Sequence, residues 1–169
     1  MLSSFQARLN PGVNAGFQPG LYQRRYTGYY GEDTNWFATA TLTATIKTVG
    51  TINDASVPNN TSRQYVGYFK APHTATFTFN LSSDDFSYFW LGTNALNGNF
   101  NSGNAFLTAD VSLSTGTVAL TAGQFYAFRI QVGNGMGPGS IGLSVSSPSL
   151  SDTSDLSGLT FFNPNTLGI

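Results

Sequence analysis

The sequence predicts an all-β protein that folds as a single antiparallel β-sandwich. Several segments alternate apolar and polar residues with a period of two, which is the pattern of half-buried strands. No segment keeps an apolar period of 3.6 residues over three helical turns. Stretches rich in Gly, Asn, Ser and Pro separate the alternating segments, as the turns of an antiparallel sandwich do.

The chain divides into one central domain and two terminal arms. Its 169 residues fit a single domain that buries about 70% of its unfolded surface. We expect the sandwich to span residues 20–148, because the alternating segments fall within it. Residues 1–19 lack periodicity, and residues 149–169 are polar before they reach Phe161 and Phe162. Both ends are predicted to be extended arms, and the alternative for the second is packing against its own sandwich.

The first half of the domain contains four predicted strands. Residues 38–47 set Ala, Leu and Ile against Thr and Lys, and residues 75–82 set Phe and Leu against Thr and Asn. Residues 86–92 are apolar on both faces, which is typical of an interior strand. The remaining strand, residues 63–71, ends at Pro72.

The second half contains two long polar loops, residues 93–106 and the glycine-rich residues 133–140. Long loops within a small domain are commonly functional. The predicted strands of this half are residues 109–113, 117–120, 124–132 and 141–146.

Composition and charge exclude several classes of function. The net charge is −1 and only 9% of residues are charged, so no basic surface is available for nucleic acid. The absence of cysteine excludes disulfides and thiolate metal sites, and a single histidine, His73, argues against zinc. The N-terminal sequence has no secretory pattern, and no apolar run is long enough to span a membrane. We therefore expect synthesis in a cytoplasm without a signal peptide.

Two adjacent carboxylates, Asp84 and Asp85, follow an apolar strand in a chain that has only eight acidic residues. Adjacent like charges repel each other unless solvent or a cation offsets the repulsion. In a sandwich, the 133–140 loop can lie at the same end and bring Asn134 and several backbone carbonyls. Carboxylates, an amide oxygen and carbonyls form the all-oxygen set that Ca²⁺ prefers. The alternative interpretation of the pair is an ordinary solvated turn.

Three stretches of the chain resemble the PA14-like domain. They are GLYQRRYTGYYGED…WF, YVGYFKAPHTATFTFNLSSDDFSYFWLG and VALTAGQFYAFRIQVGNG. The resemblance extends over residues 20–148 and is closest to the calcium-dependent fungal and bacterial adhesins of the GLEYA and flocculin type. It implies a PA14-like, jelly-roll-like sandwich that binds a glycan. PA14-like domains also occur within glycosidases and proteases, so an enzyme-associated module is a third alternative. Because the sequence has no catalytic constellation, we expect the chain itself not to be an enzyme.

The resemblance also implies the residues of a Ca²⁺ site. In the adhesin branch an Asp-Asp pair joined by a cis peptide binds Ca²⁺, which in turn coordinates two sugar hydroxyls. Asp84 and Asp85 match that pair. The second calcium loop of the family matches Asn134, followed by the backbone carbonyls of Met136 and Pro138.

The chain departs from the family pattern in three places. Phe86 follows the Asp pair where many PA14 domains have Gly, and its ring is expected to cap the site or to form a wall against the sugar. The segment WLGT lacks the Asp of the corresponding family turn. The 93–106 loop matches nothing in the family, so the residues that select the sugar do not transfer.

Enzymatic interpretations find little support in the sequence. Residues 137–142 fit the spacing of a dinucleotide-binding loop but lack the strand-to-helix context. His73 stands beside Pro72 in a turn, away from any serine in a nucleophile motif. Asp84 and Asp85 are too close in sequence to face one glycosidic bond from two sides.

Two functional hypotheses follow from these observations. The first is a Ca²⁺-dependent carbohydrate-binding module in which Asp84, Asp85, Phe86 and Asn134 contact the ligand. The second is a purely structural module of a large assembly. Because a signal peptide is absent and the ends look like arms, we expect display on a virion surface, as a capsid decoration or fibre protein attached to neighbouring virion proteins through those arms.

Overall fold

Eleven β-strands, all paired antiparallel, make up the described part of the fold. The computed structural model describes residues 17–48, 51–156 and 160–164, with side chains described in 20–45 and 51–156. The strands are β1 (Phe17–Pro19), β2 (Leu21–Thr27), β3 (Leu42–Thr48), β4 (Asn53–Asp54), β5 (Thr61–Lys70), β6 (Ala75–Leu91), β7 (Leu107–Leu120), β8 (Phe125–Asn134), β9 (Ser140–Ser147), β10 (Leu150–Thr153) and β11 (Thr160–Pro164). Their pairing confirms the predicted antiparallel all-β fold.

The central strands of the sheet are β5, β8 and β6. The hydrogen-bonded path runs β1-β11-β5-β8-β6-β9-β10. Away from this path, β2 pairs with β5 and β3, β4 pairs with β9, and β7 pairs with β6. In the part of the chain that the structure describes, no helix has the length and hydropathy of a membrane span.

The longest strand, β6, exchanges one partner for another halfway along its length. Residues 78–84 pair with residues 140–146 of β9, whereas residues 87–91 pair with residues 128–132 of β8. The Asp pair therefore lies inside a strand, at the point where β6 passes from one neighbour to the other. The prediction of two strands separated by a turn is wrong here, because the change of partner looks like a turn in the sequence.

Strand β7 is likewise one element instead of two. The sequence predicted two short strands with a break near Gly116, but residues 112–120 run continuously opposite residues 75–83 of β6. Gly116 faces Phe79 across this ladder, and the side chain of Leu107 fills the space beside it. Glycine here accommodates a neighbouring side chain and does not mark a turn.

The central strands bury side chains on both faces. Because successive residues of a strand point to opposite sides, Phe89 and Leu91 enter one apolar layer, while Tyr88 and Trp90 enter a second. The first layer is the main core of the sandwich. The second is a layer of aromatic rings on the other face, which agrees with the doubly apolar pattern of residues 86–92.

The segment between β2 and β3 covers the aromatic layer. Its 3-10 turn, Trp36–Ala38, places the buried ring of Phe37 edge-on against Tyr26 at 5.0 Å and beside Tyr30 at 5.4 Å. Burial of these rings holds the segment out of the sheet. The predicted strand over residues 38–47 consequently begins only at Leu42.

Parts of both predicted arms are strands of the sheet. Residues 160–162 of β11 pair with residues 68–70 of β5, and β1 pairs with β11. β10 pairs with β9, so the sheet extends past residue 148. Residues 1–16, Leu159 and the last five residues lie outside the described part of the chain, as do the side chains of Phe161 and Phe162.

Candidate metal centre

Two elements that the sequence predicted to meet do meet at the Asp pair. The backbone N–H of Gly135, just after β8, donates a hydrogen bond of 2.8 Å to Oδ2 of Asp85. Asp84 pairs with Ser140 at the beginning of β9. The peptide bond between Asp84 and Asp85 is cis, as the family resemblance implies. The Asp pair and the glycine-rich loop therefore form one site.

Asn134 is completely buried at the end of β8. Hydrogen bonds donated by its side-chain nitrogen fix the orientation of the amide. Nδ2 donates to the carbonyls of Val57 at 2.7 Å and Gly137 at 3.1 Å, and to Oδ1 of Asn59 at 3.4 Å. The other end of the amide, Oδ1, has no hydrogen-bond partner among the described residues. Buried polar atoms are nearly always paired, so an unpartnered oxygen needs an explanation. A cation ligated by Oδ1 would provide one.

The backbone carbonyls of the 134–140 loop fall into two sets, those that accept a hydrogen bond from the described residues and those that do not. The carbonyls of Gly135, Gly137 and Gly139 accept hydrogen bonds from Asn60 N, Asn134 Nδ2 and Val57 N, respectively. The carbonyls of Met136 and Pro138 accept no hydrogen bond from the described residues. These two carbonyls are the ones that the resemblance assigned to Ca²⁺, and they remain available to a ligand.

Gly139 is required by this packing. A side chain at this position would overlap both the amide of Asn134 and the carbonyl of Val57. Val57 also donates its backbone N–H to the carbonyl of Gly139 at 2.9 Å and accepts from Asn134 at 2.7 Å. The 134–140 loop is thus held against Val57 by hydrogen bonds as well as by close packing.

The two carboxylates influence each other's protonation. The pKa of Asp84 is raised, first by partial desolvation, then by a hydrogen bond with Asp85 and by the negative charge of Asp85. These causes disfavour the ionised form of Asp84. A bound cation would reverse this balance, because it stabilises both negative charges at once.

The donor set fits a hard cation. Asp84, Asp85, Asn134 Oδ1 and the carbonyls of Met136 and Pro138 supply only oxygen, and Ca²⁺ takes six to eight oxygen ligands. Within the described ranges, no group of three or more His, Cys, Asp or Glu side chains is arranged to hold a metal ion. A site here therefore depends on neutral oxygens beside the two carboxylates, which favours Ca²⁺ over zinc.

The side chain of Phe86 packs against the aromatic layer. Its ring lies edge-on to Tyr88 at 4.8 Å, at the border of the aromatic layer, and its carbonyl accepts a hydrogen bond of 3.1 Å from the hydroxyl of Tyr30. The ring remains half-exposed, so its contact with a sugar stays a prediction. The ring of Tyr29 also lies close to Asp85, since both Tyr29 and Asp85 Oδ2 border Gly135.

The sequence did not predict two exposed apolar side chains near the Asp pair, since it indicated Met136 only for its backbone carbonyl and did not indicate Val111. Val111 is 67% exposed, and it bulges from β7 at the register shift opposite Asp84 and Asp85. Its φ of 45° is unusual for a β-branched residue. Met136, on the glycine-rich loop, is 84% exposed. We call Val111 and Met136 the apolar rim.

Comparison with known proteins gives a family profile and several similar folds. The profile of the GLEYA domain matches residues 61–147. The Epithelial Adhesin 6 A domain of Candida glabrata, solved in complex with Galβ1-3GlcNAc, is 22% identical, with a TM-score of 0.79 and 92% of each chain covered. The Epithelial Adhesin 9 A domain of the same organism, in complex with Galβ1-4GlcNAc, is 18% identical, with a TM-score of 0.75, and the match covers 89% of this chain and 92% of that one.

A more distant fold is the PA14 sugar-binding domain from an RTX adhesin. It is 14% identical, with a TM-score of 0.60, and the match covers 85% of this chain and 98% of that chain. No curated protein matches the sequence. At these identities the solved structures establish a shared fold, while the profile match covers more than half of the chain.

Proposed function

This chain belongs to the GLEYA domain family, and we propose on that premise that it is a carbohydrate-binding module whose site is organised by Ca²⁺. Two solved adhesin domains of this fold are complexes with galactose-containing disaccharides, which supports a glycan as the ligand. Nothing in this proposal requires catalysis, because binding alone accounts for the arrangement of the site.

One observation carries the proposal more than any other: the buried Oδ1 of Asn134 has no partner among the described residues. Three acceptors fix the nitrogen end of this amide, so the oxygen is directed away from them. Leaving a buried acceptor unpaired costs about 1–3 kcal/mol. A metal ion bound there would remove this cost.

The residues of the proposed site contribute different kinds of ligand. Asp84 and Asp85 supply the negative charge, Asn134 supplies a fixed neutral oxygen, and the carbonyls of Met136 and Pro138 complete the protein's donors. When bound, Ca²⁺ offers open coordination positions to vicinal sugar hydroxyls. The Gly135 N–H holds the carboxylate of Asp85 in place before the ion arrives.

The apolar rim of Val111 and Met136 would contact the C–H face of a sugar ring. Exposed apolar side chains beside polar groups are typical of ligand sites. Phe86 would contribute an aromatic edge to the same surface. The proposed ion and its oxygen ligands would thus determine which pair of sugar hydroxyls binds, and the apolar rim would determine which sugar ring fits.

A β-galactoside-containing glycan array tests this function. We expect wild-type protein to bind in millimolar Ca²⁺, to lose binding in EDTA, and to recover it when Ca²⁺ is restored. The Asp84→Asn/Asp85→Asn double variant keeps the side-chain shapes but removes the charges, so its binding should disappear. Asp110→Asn is the matched control, because it removes an exposed carboxylate near the site that is not one of the proposed ligands.

The alternative, a structural module without a glycan ligand, makes the opposite prediction. It expects no Ca²⁺-dependent binding to any glycan and no difference between the double variant and wild type. Display on a virus particle and attachment through the terminal segments stay predictions. Their test is whether a chain lacking residues 150–169 still joins a particle.

A further inference from the structure

A second cavity lies on the aromatic face of the sheet, away from the Asp pair. Its volume is about 380 Å³. The strands of the sheet form its floor, and the segments around residues 34–38 and 97–100 form its walls. The lining residues are Arg24, Tyr26, Thr34, Asn35, Phe37, Ala38, Gln64, Asn97, Gly98, Phe100 and Arg129. Arg129 precedes Asn134 by five residues on β8, which places the two sites roughly 17 Å apart.

Arg129 carries a buried positive charge at this cavity. It is 1% exposed, its Nε donates to the carbonyl of Ala95 at 2.9 Å, and its Nη2 donates to Oδ1 of Asn97 at 2.7 Å. Its guanidinium carbon lies 4.1 Å from the centre of the Phe100 ring. No carboxylate of the described residues forms an ion pair with it. A buried charge normally has a counterion, because desolvation without one is costly.

A second cation, Arg24, lines the same cavity and hydrogen-bonds the hydroxyl of Tyr26. Burial lowers the pKa of Arg129 to about 10, and the positive charge of Arg24 contributes to this shift. The positive charge of Arg24 therefore acts on Arg129, and the residues that line the cavity include no Asp or Glu. Low-dielectric walls around charges of one sign concentrate the potential on a ligand of the opposite sign.

We propose that this cavity is a second ligand site, which binds an acidic monosaccharide unit through its carboxylate. A guanidinium pairs with a carboxylate through two parallel hydrogen bonds, and Nη1 of Arg129 donates to none of the described residues. The amides of Gln64 and Asn97 offer donors and acceptors to sugar hydroxyls. The ring of Phe100 offers an apolar surface to a pyranose.

The size of the cavity agrees with such a ligand. Small-molecule sites usually measure about 300–1,000 Å³ and combine aromatic walls with a few convergent polar groups. An inorganic anion would use the arginines alone and leave Gln64, Asn97 and Phe100 without a role. We therefore expect a sugar carboxylate to bind more tightly than an inorganic anion.

Titration of the full chain with D-glucuronate, followed by amide chemical shifts, tests the proposal. We expect saturable shifts that map to the cavity, and little response to D-glucose at the same concentrations. Arg24→Gln should weaken glucuronate binding roughly tenfold or more, because a charge-assisted bond is lost. Asn97→Ala provides a second variant at an exposed position that removes no charge and should also weaken binding.

Arg25→Gln is the matched control. Arg25 follows Arg24 in β2 but is exposed and donates to Gln23, so its loss changes the net charge equally without touching the cavity. Glucuronate affinity in this variant should stay within about twofold of wild type. The Asp84→Asn/Asp85→Asn variant should also bind glucuronate normally, which keeps this site separable from the proposed Ca²⁺ function.

Three results would overturn the proposal. They are the absence of saturation by glucuronate, equal weakening by Arg25→Gln and Arg24→Gln, and sodium sulfate binding as tightly as glucuronate. The last result would reduce the site to a general anion pocket without recognition of a sugar.

Discussion

The side chain of Asn134 uses its two ends differently. Its nitrogen binds three oxygens of the protein and fixes the loop, while its oxygen has no described partner and faces the proposed ion. A substitution at this residue should therefore affect both folding and binding, whereas substitutions at the carboxylates should affect mainly binding.

We predict that Asn134→Ala lowers the free energy of unfolding by about 1–3 kcal/mol, because the carbonyl of the buried Val57 loses its donor and the carbonyl of Gly137 loses a hydrogen bond. Urea denaturation in EDTA measures this effect without any contribution from metal. Asn59→Ala is the control, since Asn59 is exposed and only its long 3.4 Å contact is lost. Equal losses in the two variants would contradict this role for Asn134.

Residue types alone predicted Asp84, Asp85 and Asn134, because paired carboxylates and an Asn after a strand stand out in a chain of low charge. The role of Val111 was not predictable in this way. It lies in an alternating segment that looked regular, and its exposure results from a register shift between strands. Arg129 was also missed, because a lone Arg in an apolar strand gives no sign of the cavity above it.

At the scale of elements, β6 shows that periodicity predicts which residues of a strand are buried but not which strands pair. Alternation correctly placed Phe77, Phe79 and Leu81 in the core, and all three are fully buried. Periodicity does not show that the strand continues through the Asp pair with a new partner. Strand pairing depends on the whole sheet. Polar residues such as the Asp pair look like a turn in the sequence even where the strand continues.

Trp90 connects β6 to the loop that follows it. The buried indole N–H donates to the carbonyl of Asn101 at 2.9 Å and to Oδ1 of Asn104 at 3.0 Å. This contact holds the 93–106 loop, which also supplies Asn97 and Phe100 to the second cavity. The loop that sequence patterns described only as long and polar is thus anchored to the sheet.

We predict that Trp90→Phe destabilises the protein by about 1–3 kcal/mol and loosens this loop, because the loop loses both hydrogen bonds from the buried indole N–H and the smaller ring leaves a cavity. Thermal unfolding and the rate of proteolysis within residues 93–106 measure the two effects. Trp36→Phe is the matched control, since the indole N–H of Trp36 has no hydrogen bond in the described part of the chain. Faster cleavage in Trp36→Phe than in Trp90→Phe would contradict the prediction.

At the scale of the molecule, the candidate metal centre and the last described strand occupy opposite ends of β5. Thr61 pairs with Asn134 beside the metal centre, whereas residues 68–70 pair with β11. Nine residues of strand separate the two ends, a distance of roughly 30 Å. Changes at the terminal strand should therefore leave the binding end intact.

Deletion of residues 157–169 tests this separation. It leaves the edge of β5 unpaired at residues 68–70, while residues 61–66 keep their partner β2. We expect faster amide hydrogen exchange at residues 68–70, a lower urea midpoint, and unchanged Ca²⁺ affinity. Loss of Ca²⁺ binding in a chain that remains folded would contradict the independence of the two ends.

The central claim is that Asp84, Asp85 and Asn134 hold a Ca²⁺ ion. Calorimetric titration of the metal-free protein with Ca²⁺, alongside the Asp84→Asn/Asp85→Asn variant, tests it most directly. We predict saturable binding of one ion per chain in the wild type and none in the variant, with the variant still folded by circular dichroism. No binding at millimolar Ca²⁺, or equal binding by both proteins, would contradict the claim.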